Sequence, residues 1–296
     1  MIERFMMRAA HPSKARPPLP GRTAVLLAAL APLALLSACW GEVEDAPPPT
    51  ATATATSGAE GEGPDGVLAT GGAREVSERT DLFIFEYSYP QAAGEVEELA
   101  AWLDTRLAQE REGLAAEATR DRREASANGF PFNTYSSSTE WKVVASLPDW
   151  ISLSADLSSY QGGAHPNYAF DSIIWDRARG VALEPMAFFT SANALDDALG
   201  EQLCEALNTE RARRRGGPVD PSSTDSFEAC VPANDTNVIL GSSDGVHFNR
   251  IGVQIAPYIA GPYAEGSYEF TFPVTPALLE TVREDYRSAF AARTPG

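Results

Sequence analysis

The sequence predicts an α+β fold, with largely antiparallel sheet or sheets and helices packed on one side. Three observations carry this: segments in which apolar and polar residues alternate, long segments with leucines every three or four residues, and the order strand, helix, strands, helix, strands, helix. Alternation with period two buries one face of a strand and leaves the other polar, as in antiparallel sheets. Leucines at three- and four-residue spacing share one stripe of a helix. Runs of strands separated by helices, without strict βαβ alternation, give α+β.

The elements follow in order. Residues 82–90, LFIFEYSYP, are rich in strand formers and end at proline. Val96, Leu99, Leu103, Leu107 and Leu114 then predict an amphipathic helix over residues 92–125, stopped near Asn128 and Gly129. Its other face, with Glu110, Arg111, Glu112, Asp121, Arg122 and Arg123, reads as solvated. Residues 141–147 and 150–160 are strands about the Pro148-Asp149 turn, and Ile151, Leu153, Ala155 and Leu157 alternate with Ser152, Ser154, Asp156 and Ser158. Residues 168–175 and 181–183 predict a hairpin with Gly180 at its turn. Leu195, Leu199, Leu203 and Leu207 mark a second helix, capped by Ser191 or Asn193. Strands over 246–255 and 268–274 flank a Pro/Tyr/Gly loop, and Gly241–Gly245 reads as a turn. A closing helix starts at Pro276 and buries Leu278, Leu279, Val282 and Tyr286. Trp141, Trp150 and Trp175 fall in strands and read as core.

The start of the chain has a different character. Arg8, Lys14, Arg16 and Arg22 precede an apolar run over residues 24–36, closed by Leu36-Ser37-Ala38-Cys39. That is the pattern of a secretory signal, and it is short of the roughly 20 apolar residues that span a bilayer. The Cys-terminated motif resembles a bacterial lipobox. The resemblance implies cleavage before Cys39, lipid on its thiol, and a mature protein tethered to a membrane and facing the periplasm or cell exterior. A plain signal peptide with an incidental cysteine is the alternative reading. Trp40-Gly41 after the cysteine, rather than an aspartate, favours the outer membrane if the cell is Gram-negative. Residues 39–75 are acidic and rich in Pro, Ala, Thr and Gly, too poor in large apolar side chains to offset conformational entropy. They are expected to form a disordered linker reaching roughly 30 Å.

Removing residues 1–38 takes away five basic residues and one acidic residue, so the mature net charge is −22. Such a surface argues against nucleic acid and suits a cationic partner, although acidity also serves solubility. With Cys39 assigned to lipid, Cys204 and Cys230 are expected to pair in an oxidising compartment. The bridge would close a loop of about 27 residues and stabilise by about 3–4 kcal/mol. That loop contains RARRRGGPVDPSSTDS, read as a segment of weak structural propensity.

Constellations for catalysis are hard to find. The mature sequence has only His165 and His247, with no HExxH, no metal-binding cysteine spacing, no GxSxG elbow and no glycine-rich phosphate loop after a strand. The reading is therefore non-enzymatic, with no metal and no cofactor. His165 stands out: Gly162-Gly163 permits a sharp bend before it, and Pro166 holds it extended. It is read as bridging backbone groups of a buried loop, with ligand contact as the second reading and catalysis or metal binding as the third. Tyr258 and Tyr263, among prolines and glycines, could serve recognition, with core packing of at least one of them expected.

Residues 160–167, YQGGAHPN, resemble the YxGGAHxN signature of the exported domain family DUF3298. Residues 255–266, IAPYIAGPYAEG, are similar to the family's PYxxG loop, best matched at Pro262-Tyr263-Ala264-Glu265-Gly266, and the segment 176–189 resembles its DxxxGxxLxxxxFF hairpin. The resemblance covers about residues 76–292. It implies a DUF4163 or PdaC N-terminal-like domain at 76–168 and a DUF3298-like domain at 169–296, after a signal peptide at 1–38 and the linker at 39–75. The family includes RsiV-like anti-sigma factors, whose exported domain binds lysozyme, and the extracytoplasmic part of PdaC-type peptidoglycan deacetylases. Sigma-factor binding and deacetylase chemistry are both expected to be absent here. What carries over is an exported module that binds a protein or cell-wall ligand, with a cationic protein such as lysozyme or peptidoglycan as candidate partner. Gly162, Gly163, His165, Asn167, Tyr258 and Tyr263 are the candidate binding residues. The alternatives are a peptidoglycan-directed enzyme or accessory using the GGAH loop, and a structural envelope lipoprotein without a dedicated ligand.

Overall fold

The computed structural model describes residues 72–220, 223, 225 and 227–293. The expected signal peptide, Cys39 and nearly all of the linker lie outside the described residues. The described residues fall in one compact unit, Gly63–Gly296.

Six strands form one sheet in chain order: β1 (Arg74–Arg79), β2 (Phe83–Tyr89), β3 (Tyr135–Ser146), β4 (Trp150–Tyr160), β5 (Asn167–Asp176) and β6 (Val181–Leu183). Neighbours are antiparallel except β2 and β3, which run parallel. Between those two the chain inserts a short turn of helix, α1 (Gln91–Gly94), and the long helix α2 (Glu97–Asn128). A parallel pair requires such a crossover. Helix α2 stops at Gly129, whose φ of 72° only glycine adopts cheaply, and the Phe130 N–H donates to the Ala125 carbonyl at 2.9 Å.

Strand register decides what α2 covers. Ile151 lies opposite Trp175, Leu153 opposite Ile173, and Trp141 opposite Ala155, so these side chains share one face. They pack with Phe85, Tyr87 and the helix leucines Leu99, Leu103, Leu107 and Leu114 into the first core. The opposite face is polar over much of its area. Ser136, Ser138 and Glu140 of β3 lie opposite Tyr160, Ser158 and Asp156 of β4, and Ser158 lies opposite Tyr168 of β5.

A second sheet contains β7 (Asn237–Gly241), β8 (Arg250–Ile255) and β9 (Tyr268–Pro273), all antiparallel. Helix α3 (Ala192–Arg215) is capped by Ser191, whose hydroxyl accepts from the Ala194 N–H at 3.0 Å. Its buried stripe of Leu195, Leu199, Leu203 and Leu207 packs on Leu240, Ile251, Val253, Ile255 and Tyr268 in a second core, with Ile174 and Leu147 from the back of the first sheet. The Cys204–Cys230 disulfide is formed. A polar seam joins the sheets: the Ser172 hydroxyl lies 2.8 Å from the Val238 carbonyl, and the Asn237 amide donates to Asp171 O and Gln254 Oε1.

Several expectations are corrected. The strand expected from Val246 begins at Arg250, because the Asp244 carboxylate accepts from the Val246 and His247 N–H groups and holds a turn. The closing helix α4 (Pro276–Thr281) is short: Val282 leaves it to bridge Phe189, and a 3-10 turn, Glu284–Ala289, carries Tyr286. Leu278 and Val282 are buried as expected, whereas Leu279 and Tyr286 are only partly so. Residues 211–215 of the supposed weakly structured loop are the last turn of α3.

Candidate binding site

Three connections converge on one end of the six-stranded sheet: the α2–β3 loop, the β4–β5 loop with its glycine pair, and the β8–β9 loop from the second sheet. In the β4–β5 loop Gly162 and Gly163 take φ of 85° and 131°, conformations that a side chain would strain. The bend is tied at two points. The Tyr160 hydroxyl donates to the Gly163 carbonyl at 3.1 Å, and the Gln161 amide donates to Glu117 of α2 at 2.5 Å. His165 is thereby delivered, half-buried, beside the β8–β9 loop.

There its imidazole stacks on Tyr263 with ring centroids 3.7 Å apart and planes 17° from parallel. Its Nε2 shares a hydrogen bond of 2.9 Å with the Tyr258 hydroxyl, and Nδ1 lies 2.8 Å from the Pro166 carbonyl. Tyr168, second residue of β5, lies near-parallel to Tyr263 at 6.2 Å, and Tyr258 stands 5.7 Å from Tyr263. Partial burial and the adjacent Tyr168 raise the Tyr263 phenol above its ordinary pKa. Tyr258 and Tyr168 remain 51% and 48% exposed. The expectation that one of Tyr258 and Tyr263 packs in the core is thus not met; both are in the ring cluster at the surface.

Tyr258 is the one non-glycine residue with positive φ among the described residues, at 70°. A left-handed conformation costs a tyrosine roughly 1–2 kcal/mol, so something must hold it. The Tyr258 N–H donates to the Gly261 carbonyl at 3.1 Å, and the end of α3 holds the loop two residues on. Its leucine stripe continues at the same spacing into Arg211 and Arg215, which directs two guanidinium groups inward. Arg211, fully buried, donates to the Ala260 carbonyl at 2.9 Å and to the Glu228 and Ala229 carbonyls at 2.9 and 3.0 Å. Arg215 binds Glu265 through Nε at 2.8 Å and Nη2 at 3.0 Å, and Arg214 donates to the Ser267 carbonyl while lying over the Tyr268 ring. Partial burial opposes ionisation of Glu265, but the Arg215 pair and the Tyr268 hydroxyl hold its carboxyl below the ordinary range. Burial and that same carboxylate push Tyr268 up to about 12. Gly261 lies against this pair: a Cβ there would fall 2.3 Å from Glu265 Oε2.

Of the candidate residues, His165, Tyr258 and Tyr263 meet directly, while Gly162 and Gly163 shape the loop that presents the histidine. Asn167 opens β5, exposed, opposite Ser159. The sequence reading left out Tyr168 and the arginine clamp. Both had a signal: period two puts Tyr168 on the polar face with Phe170, and period four extends Leu195–Leu207 to Arg211 and Arg215.

Residues 76–168 match a family model described as deacetylase PdaC. Glycines 162 and 163, His165 and Tyr168 lie inside that match, and Tyr258 and Tyr263 outside it. Solved structures similar to the chain include two DUF3298 family proteins. One, from Bacteroides fragilis, has 14% identity over 73% of this chain and 95% of its own, with a TM-score of 0.46. The other, from Pseudomonas aeruginosa, has 15% identity over 77% of this chain and 100% of its own, also with a TM-score of 0.46. No curated protein matches the chain.

Proposed function

We propose that the protein is an exported, lipid-anchored component of the cell envelope that acts by binding, with His165, Tyr168, Tyr258 and Tyr263 as its recognition surface. The observation that carries this reading is Tyr258, a half-exposed aromatic at φ 70° bonded to His165, in a loop whose Ala260 carbonyl an interior arginine binds. Strained backbone that presents an aromatic ring to solvent is of no use to a core, and rigid aromatics are favoured at recognition surfaces because little entropy is lost on contact. The lipobox-like Leu36-Ser37-Ala38-Cys39 and the acidic spacer support placement at a membrane facing outward. Peptidoglycan and a cationic envelope protein such as lysozyme are the partner classes, the second by long-range attraction to the −22 mature charge.

The test uses full-length protein in detergent, incubated with peptidoglycan sacculi, with lysozyme and with envelope extract at low and moderate salt. Saturable binding that survives moderate salt and is lost in Tyr258→Ala is the expected result. Binding equal in wild type and Tyr258→Ala would remove the cluster from the reading. Metabolic palmitate labelling that disappears in Cys39→Ser checks the anchor separately. A second reading is favoured by the deacetylase description of the matching family model, in which His165 serves an enzyme or accessory acting on peptidoglycan. Under it His165→Ala would abolish modification of the glycan; unchanged glycan chemistry would dismiss it.

A further inference from the structure

We propose that the surface takes a glycan bearing free amino groups, a hexosamine polymer whose amines are unacylated. This rests on the reading of the aromatic cluster as a recognition surface and names what lies on it. The Tyr168 and Tyr258 rings are open to solvent and lie at the end of the sheet's polar face. An open ring offers a negative face to the C–H groups of a sugar and to an ammonium group alike.

The sheet continues the surface in register. Tyr168 lies opposite Ser158 and Ser158 opposite Ser138; one row along, Phe170 lies opposite Asp156 and Asp156 opposite Glu140. On the next strand Glu86 lies beside Ser138, exposed. Hydroxyls in one row and carboxylates in the next therefore lead away from the rings on one face, with strands about 4.8 Å apart. Lys142 is shared by Asp156 at 2.5 Å and Glu140 at 3.4 Å, so this row carries two carboxylates against one ammonium. Together with Glu86 and the −22 mature charge, the face repels anionic polymers and complements a cationic one. A polymer of amino sugars supplies all three matching groups, apolar ring faces, hydroxyls and ammonium.

Calorimetric titration of the full-length protein in detergent with hexaglucosamine, its fully N-acetylated counterpart, polylysine and lysozyme tests this. Hexaglucosamine is expected to bind at least ~10-fold more tightly than the acetylated hexamer, the worth of about 1.4 kcal/mol. Tyr168→Ala is expected to weaken it ~10-fold. The double variant Glu140→Gln/Asp156→Asn is expected to weaken it and to reduce its salt dependence, with urea unfolding unchanged. Equal affinity for the two hexamers overturns the inference. So does polylysine binding as tightly with no effect of Tyr168→Ala, which is plain ion exchange. Lysozyme bound through Tyr258, with hexaglucosamine unbound, overturns the sugar while leaving recognition at the cluster intact. Failure of Tyr258→Ala to affect any partner removes both.

Discussion

Two aromatic groups in this molecule use similar chemistry to opposite ends. Beneath α2, Arg106 lies over both Trp102 and Trp141 at 5.1 Å, with Asp171 at 2.8 Å from its guanidinium and Glu110 bonded to Thr139. Every member sits on a helix or strand, and Trp141 is 2% exposed. At the sheet end, His165 and Tyr258 sit on loops and Tyr263 opens a short 3-10 turn, with Tyr168 beside them as the second residue of β5, and the backbone is bent by positive φ at Gly162, Gly163 and Tyr258. The first group fills space because regular elements place it there. The second is open because an arginine from another element holds its loop. Packing and presentation fall to different aromatic residues, and Arg211 serves both the fold and the loop.

The sharpest break of that comparison is Trp141→Ala, expected to cost about 3–5 kcal/mol in urea unfolding as a large core side chain is lost. A cost below 1 kcal/mol would mean that the buried group is not structural. Arg211→Met comes next. It leaves the Glu228 and Ala229 carbonyls without their donor and Ala260 with only the 3.5 Å contact of Arg215, with an expected cost of about 3 kcal/mol and loss of partner binding. Binding retained at full strength would show that the loop holds its shape without the clamp. Tyr258→Gly should do the reverse of Trp141→Ala: relief of left-handed strain gives about 1 kcal/mol of added stability while binding is lost. A destabilised Tyr258→Gly would place the tyrosine with the structural group.

The smallest effect concerns pH. Burial raises the Glu110 carboxyl above its ordinary pKa, against the opposing hydrogen bonds of Thr139 and Arg106. In the window between its unfolded and folded pKa the native state holds more protons, so this group's stabilisation is present at low pH. It is lost as pH rises through the folded value. Glu110→Gln cannot ionise, so its stability relative to wild type should climb across that window and then level off. A flat difference from acid to neutral pH in a urea series would contradict this.

Much of this architecture was legible because regular elements write their burial into the sequence. The alternation from Trp150 to Tyr160 marked β4 at both ends, and the leucines at 195–207 marked α3. Ser136–Ser138 have low strand propensity and concealed the start of β3, which pairing with β2 imposes. The NVILG segment of β7 is too short for either periodicity, and it is held from outside by Ser172 and β8. For the site, the glycine pair, His165 and both loop tyrosines could be found by composition. Their meeting could not, because it depends on two loops 93 residues apart sharing one hydrogen bond.

The buried guanidinium has one more consequence. Arg211 reaches the β8–β9 loop and the segment after α3 through backbone carbonyl oxygens, groups that every amino acid carries, its further bond going to Asn208 on α3 itself. That grip is therefore blind to the side chains at 258 and 259, which can be exchanged without loosening it, whereas Gly261 and Glu265 are fixed by the Arg215 pair. The loop works like a tool head on a fixed chuck, so new specificities could be grafted at positions 258 and 259 while α3 and its disulfide stay untouched.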